Sequence, residues 1–393
     1  MKILYYSPHP HLRIEDQTGY GTHMREMIAA FETLGHDVDF LIAGHQAVYA
    51  KEAQESNIRR PKFKKVFKFL IPQLIWETIK DLKLIRVDRN NKYRLNRLVN
   101  ELQPDVIYER SHYGMVSGVD VANNHGVHHI LEVNCPNIEE RKKLSGNSLL
   151  TRRAARMDRW AFTNTDHVLT VSTYLAKHLN IHNMAKKWSV TPNAIRLGQQ
   201  QESTLNHTRH SLSIDESVVL LGFVGSIFPW HGVDLIVNTV ANFHKQGRKV
   251  EAMIVGDGEI RSALEDAAET HGVSHKIHFV GSVPHCDTFA YTALCNILIL
   301  PKSHSYGSPV KIFEYALAQK PCIVPNTSPV TEVFEHAVDG WVVDSSLKSI
   351  ESAIEAIINS PEKAEKCANN WHKKVISNHT WQANALVALN HCM

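Results

Sequence analysis

Residues 218–258 read VVLLGFVGSIFPWHGVDLIVNTVANFHKQGRKVEAMIVGDG, and this stretch decides the fold. Residues 218–224 form an unbroken apolar run closed by Gly225, too short for a helix and suited to a strand buried on both faces. Residues 234–246 carry helical spacing. Residues 250–255 are a second apolar run, closed by Gly256-Asp257-Gly258. Strand, helix and strand at these lengths make a βαβ unit with parallel pairing. The same rhythm continues outward. Runs at 276–280, 297–300 and 322–324 end in Gly281, Pro301 and Pro325, and residues 259–271 read as another helix. Upstream, residues 2–6 read as a strand and residues 16–21 as a Gly-containing loop. A helix then places Met24, Met27, Ile28, Phe31 and Leu34 on one face and stops at Gly35, ahead of a strand at 38–42. Further strands are expected at 106–108, 129–132 and 167–171. The polar stretch 199–213 reads as a linker. The expected fold class is α/β, with two doubly wound parallel sheets in succession.

Composition agrees. The chain has 393 residues, 43% hydrophobic and 21% charged, which excludes a disordered or fibrous protein and leaves room for more than one core. Six scattered cysteines without a CxxC pair make neither a disulfide framework nor a zinc ribbon, and a reducing compartment is expected. MKILYYSPHP has no signal-peptide pattern, and no run approaches the roughly 20 apolar residues of a membrane span. With 43 Lys and Arg against 40 Asp and Glu, the net charge is +3. That figure is an average. Residues 58–97 hold thirteen Lys/Arg and three Asp/Glu, a local +10, so the remainder carries −7. Phe63, Val66, Phe67, Leu70 and Leu74 follow helical spacing there; Phe69, Ile75, Trp76, Ile79 and Leu82 widen the apolar surface, and Pro72 divides the segment into two helices. An anionic membrane surface, a solvated helix face and a polyanionic acceptor are the three readings of that segment. No nucleic-acid recognition module accompanies it.

The ordered segments GFVGSIFPWHGVDLI, AMIVGDGEIRSALEDAA, IHFVGSV and YGSPVKIFEYALAQKPCIVPNTSPVTEVFEHAVDGWVV resemble the retaining GT-B glycosyltransferases of family 4 (glycosyl transferases group 1). TGYGTHMREMIAAFETLGHDV, LEVNCPNIEE, VLTVSTYLAKHL and VTPNAI extend the resemblance over nearly the whole chain apart from about residues 50–100. It implies two Rossmann-like domains facing a central cleft. Residues 1–197 would be the acceptor domain, with 58–97 a basic amphipathic insertion. Residues 198–376 would be the nucleotide-sugar domain, and 377–393 a terminal helix crossing back to the first.

Diphosphates are held by backbone N–H groups at Gly-rich turns and by cations. Gly225-Ser226 begins such a turn. The family pattern has Arg and Lys where this chain has Ser226 and His231, so Lys311 becomes the compensating cation; Ser226 and His231 capping the following helix is the alternative. The resemblance assigns Glu314 to the ribose hydroxyls. It places Tyr306 where the family carries a sugar-facing Glu, which puts that contact in doubt, since a phenol has no charge at pH 7. Gly307, Ser308, Pro309 and Val310 would approach the diphosphate and sugar, and Gly281 and Val283 the base. On the acceptor side Gly21 and Tyr20 resemble the loop that approaches the donor, and His112 the residue lining the reaction centre. Glu109 and Arg110 compete with His112 for that role; Glu132 and Asn134 would bond sugar hydroxyls, and Asn193 would position the turn between domains. The scatter of 25 histidines argues against a His metal site.

The implied catalytic group is therefore His112, Lys311, His231 and Tyr306, with no resident metal or cofactor and a nucleotide-diphosphate sugar as donor. The implied activity is retaining transfer to a glycan or lipid-linked acceptor in cell-envelope polysaccharide synthesis, in the cytoplasm and peripherally on the inner face of the membrane. An epimerase or hydrolase of nucleotide sugars on the same fold, and a degenerate sugar-nucleotide-binding protein, are the rivals.

Overall fold

In the computed structural model, which describes residues 1–16, 19–44, 72–201, 205, 207–390 and 392, the first six strands are β1 (Lys2–Ser7), β2 (Asp37–Ile42), β3 (Val106–Arg110), β4 (His128–Val133), β5 (His167–Thr170) and β6 (Trp188–Val190). They form one parallel sheet in the order β2-β1-β3-β4-β5-β6. A second parallel sheet holds β7 (Val219–Val224), β8 (Val250–Val255), β9 (Ile277–Gly281), β10 (Ile297–Ile299), β11 (Cys322–Pro325) and β12 (Trp341–Val343), in the order β12-β11-β10-β7-β8-β9. The sheets belong to two compact units, residues 1–191 with 385–393, and residues 192–384. These are the two Rossmann-like domains of a GT-B fold.

The strands read as continuous apolar runs because helices cover both faces of each sheet. Ile3, Leu4, Tyr5 and Tyr6 of β1 are all 0% exposed, as are Leu220 and Leu221 of β7. Each order has one reversal, between β1 and β3 in the first sheet and between β7 and β10 in the second. Ligand crevices in open α/β sheets lie at the carboxyl ends of the strands flanking such a reversal.

Three local readings change. Residues 19–21 are helical: the helix Gly19–Thr33 starts at Gly19, and only Asp16 precedes it among the described loop residues. The 199–213 stretch is not a free linker. Arg209 is buried and donates to the carbonyls of Leu294 and Val218, tying the stretch to the ends of β7 and β10. Strands β6 and β12, of three residues each, were not anticipated. The helix Gln73–Leu102 follows Pro72, whereas residues 58–71 of the basic segment, including Phe63, Val66, Phe67, Phe69 and Leu70, lie outside the described residues. No helix of the described chain is long and apolar enough to cross a membrane.

Candidate functional site

In the second unit the reversal between β7 and β10 gathers most of the anticipated donor residues. β7 ends at Val224, and Gly225 turns the chain with φ +129°, a conformation that favours glycine. A Cβ there would meet Lys311 Nζ at 2.8 Å, so glycine is also what lets the ammonium reach the turn. Lys311 comes from the helix Val310–Leu317, whose start no side chain caps. Its Nζ is fully buried, has no hydrogen-bond partner in the structure, and lies 4.5 Å from the centre of the Phe223 ring. Burial pulls its pKa down to about 7, with the Glu314 carboxylate opposing. A buried cation with no ion-pair partner among the described residues is unfavourable in a finished core, and is what an anion-binding turn needs.

His231 occupies the other expected position. Its Nδ1 lies 2.7 Å from the Ser226 carbonyl, so the ring donates there and ties the two departures from the family pattern together. Burial first, and the Lys311 charge second, push its pKa down to about 3. His231 is thus a neutral imidazole at pH 7, and Lys311, about half protonated there, is the one of the two that carries charge.

Glu314 sits one turn along from Lys311, and its Oε1 is 2.6 Å from His285 Nε2. That contact joins this helix to the loop after β9, which follows the strand's last residue Gly281 and includes Val283; Val283 itself packs on the core. Tyr306 stacks on His304 (5.2 Å, 13°), His304 on Trp230 (5.1 Å), and Trp230 on Phe228 (4.5 Å, 13°). A continuous ring stack therefore links the loop after β7 to the loop after β10. Gly307 stays open, with only His304 Cβ within reach of an added Cβ, at 3.7 Å. Ser308 is turned inward: it is 7% exposed, its hydroxyl accepts from the Asn193 N–H at 3.0 Å, and its carbonyl accepts from the Asn193 side chain. Asn193 therefore positions a turn within the second unit. Pro309 and Val310 lead into the helix that carries Lys311.

In the first unit the reversal between β1 and β3 brings His9 and His112 together, rings 4.0 Å apart and edge-to-face. Burial, then the neighbouring His9 and Arg110, hold His112 well below the usual imidazole range, and His9 is pulled down to about 4. Both are neutral at pH 7. Successive residues of β3 face opposite sides of the sheet, which separates the competitors of His112. Glu109 is 0% exposed and bonds His129 Nε2 at 3.0 Å, so it is an interior residue rather than an acceptor contact. Arg110 lies 3.2 Å from His23 Nδ1 and 3.6 Å from Glu132. Glu132, 2.7 Å from His23 Nε2 and 2% exposed, is taken up in this network. Burial raises its pKa, but His23 and Arg110 outweigh that and leave it lowered. Asn134 follows β4 with its amide nitrogen buried. Tyr20 donates to Asp16 at 2.8 Å, and Gly21 leaves room for the Asp16 carbonyl.

His285, His304, Trp230, Phe223 and His23 were not singled out from sequence. Each acts through a partner distant along the chain, and no local pattern encodes such pairings.

Two families match the chain. The model described as glycosyl transferases group 1 matches residues 206–374, and that of glycosyltransferase family 4 matches residues 18–199. Together they account for both units, and the chain belongs to this group 1 and family 4 class of glycosyltransferases. An uncharacterized glycosyltransferase of Methanocaldococcus jannaschii is 23% identical over 183 residues, 46% of each chain. The chain spans about half the length of the curated relatives it matches. Sucrose-phosphate synthase from Thermosynechococcus elongatus is similar in fold at 14% identity, with TM-score 0.72 over 98% of this chain and 97% of that one. HepE of Anabaena, solved in complex with UDP, is similar at 16% identity, with TM-score 0.72 over 99% of both.

Proposed function

We propose that this protein transfers a sugar from a nucleotide-diphosphate donor to a glycan or lipid-linked acceptor with retention of configuration, at an anionic membrane surface, in the synthesis of envelope polysaccharide. The observation that carries the reading is the buried, partnerless Lys311 ammonium against the Gly225 turn. The UDP complex of the HepE fold relative supports the donor class.

In this reading the diphosphate rests on the amides at Gly225 and at the start of the helix Val310–Leu317, with Lys311 supplying the charge and Glu314 taking the ribose hydroxyls. The acceptor oxygen forms a bond to the anomeric carbon on the face from which the diphosphate leaves. The bonding pair of the broken C–O bond goes to the diphosphate, which also takes the acceptor's proton. No protein nucleophile is required, and the enzyme contributes orientation and stabilisation of leaving-group charge. Lys311 supplies that charge without a resident metal. In the second unit Tyr306 hydrogen-bonds donor-sugar hydroxyls; in the first unit the neutral His112 is offered to acceptor hydroxyls.

The test is a thermal-shift panel of UDP-, GDP-, ADP-, dTDP- and CMP-sugars, followed by the anomeric coupling constant of the product. A donor at 100 times its Kd should stabilise the protein by about 2.7 kcal/mol. No shift with any member, or a product of inverted configuration, overturns the corresponding half of the reading. Glu314→Gln is expected to raise the donor KM roughly 10- to 100-fold, the worth of hydrogen bonds to a charged acceptor, while the melting temperature changes little. Steady-state kinetics on the matched donor checks this.

A further inference from the structure

Six of the eleven large apolar side chains that stand exposed on the described chain fall on one corner of the first unit. Leu74, Ile75, Leu82 and Tyr93 lie on the helix Gln73–Leu102, and Leu144 and Leu149 lie near the loop after the helix Asn137–Ser145. At 100° per residue, Ile75, Leu82, Arg86, Arg89 and Tyr93 share one stripe of the long helix, about 27 Å from end to end. Leu144 and Leu149 are 73% and 68% exposed, well beyond what a packed loop needs.

The loop is fastened beside the start of that helix. Gln73 Nε2 donates to the Ser145 carbonyl at 3.1 Å, the Leu149 N–H donates to Thr78 Oγ1 at 3.1 Å, and Arg141 bonds Glu77 and Asp81 at 2.8 and 3.0 Å. The apolar tips are therefore held outward on a rigid base.

The charge around them is mostly basic; the exposed acids of the two helices, Glu101 and Glu139, pair with Arg97 and His178. Lys80, Lys83, Arg86, Arg89 and Arg97 on the helix are exposed, as are Lys142, Lys143 and Arg152. The three acidic residues of 73–97 point elsewhere: Glu77 and Asp81 are buried on Arg141, and Asp88 accepts from the Val116 and Ser117 amides. Residues 141–153 contain no Asp or Glu. Residues 58–71, which lie outside the described residues, hold six Lys/Arg and no acid.

We propose that this corner is the surface on which the protein docks to an anionic phospholipid bilayer. Leu144, Leu149, Leu74 and Ile75 enter the interface, and the long helix lies along the headgroups. Apolar tips within a predominantly basic rim match the layering of such an interface, where cations meet headgroups and side-chain tips reach the acyl boundary. The proposal deepens the membrane partner of the preceding reading and rests on it, but not on the identity of the donor.

The experiment is flotation of the full chain with vesicles of phosphatidylcholine alone and of phosphatidylcholine with one quarter phosphatidylglycerol, in 0.1 and 0.5 M salt. Wild type should bind the anionic vesicles at least tenfold more tightly than the neutral ones and lose that preference at high salt. The double variant L144D/L149D changes only exposed side chains; it should keep its melting temperature and donor binding yet lose at least tenfold in vesicle affinity. Val338→Asp, exposed in the other unit, should bind as wild type does. Wild type indifferent to lipid charge removes the membrane partner and leaves donor binding intact. Wild type that floats together with an equally floating L144D/L149D removes this corner as the contact. A dimer that L144D/L149D dissociates in sedimentation equilibrium makes the occupant a second copy and overturns the lipid assignment.

Discussion

Lys311→Ala is expected to lower kcat/KM for the donor by about 10³, with the protein still folded. Removing one preorganised group that meets developing charge in a water-poor site costs about 10²–10³ in rate. Lys311 also carries charge that Ser226 and His231 do not supply. Its ammonium has no protein anion to hold, since the Nζ is buried without a partner and rests on the face of Phe223. Nothing in the folded chain is orphaned by its removal, so the melting temperature should hold or rise. Lys311→Arg should not rescue: a planar guanidinium differs in shape from the ammonium packed against Gly225, where an added Cβ would already stand 2.8 Å from Nζ. Kinetics with wild type and both variants check the assignment, and near-normal turnover by the alanine variant sinks it.

The same residue gives a pH signature. Its folded pKa of about 7 lies below the ordinary lysine value. From about pH 7 up to the unfolded value near 10.4 the unfolded chain holds more protons than the folded one, so stability rises with pH across that window. Donor binding runs the opposite way. A bound diphosphate favours the ammonium, so binding takes up a proton above pH 7, and affinity should fall by up to tenfold per unit from about pH 7.5 to 9.5. Isothermal titration in two buffers of different ionisation enthalpy would show the uptake. Lys311→Ala should show neither slope. With its pKa near 3, His231 does not titrate in this range and cannot produce the effect.

The fold was legible because strands such as β1, β7, β8 and β11 are buried almost along their length and carry apolar runs; β6, whose three residues are only half-buried, carries no such signal, and β12 was not read either. That Lys311, Gly225 and Glu314 come together at one end of the sheet was legible as well, since strand-end turns and the helix that follows are local in sequence. Partnership was not. Glu109 and Arg110 are neighbours in YERSH, and sequence alone left them equivalent, yet the pleat sends one to His129 in the core and the other to His23. The basic segment shows the same limit. Its charge is countable along the chain, but that Glu77 and Asp81 are withdrawn onto Arg141 appears only when the helix Asn137–Ser145 is placed beside them. Tyr306 stands in for a carboxylate in the motif, and only the fold shows it as the end of a stack reaching back to Phe228.

Trp371→Ala is expected to destabilise the second unit by about 4 kcal/mol, within the range for removing a buried tryptophan. The indole, 0% exposed in the helix Pro361–Asn378, meets Phe334 edge-on at 4.9 Å and Phe313 at 5.7 Å. Its Nε1 donates to the Ile312 carbonyl at 2.8 Å, and the next residue, His372, donates from Nδ1 to the Ala316 carbonyl at 2.9 Å. Two consecutive side chains thus fix the helix Val310–Leu317 at both of its turns. Alanine at 371 leaves a cavity and a buried carbonyl without its donor; phenylalanine refills most of the volume and loses only the hydrogen bond, about 1 kcal/mol. For a unit of this size the alanine variant should melt roughly 8–16 °C lower, and the phenylalanine variant only a few degrees lower. Ile312 directly follows Lys311, so a loosened helix also releases the ammonium from the Gly225 turn. Donor affinity at 15 °C, where the alanine variant is still folded, should therefore fall severalfold, whereas the phenylalanine variant should bind as wild type. Equal melting temperatures for wild type and the alanine variant would show that Trp371 does not anchor this helix, and unchanged donor affinity in a destabilised variant would separate packing from the placement of Lys311.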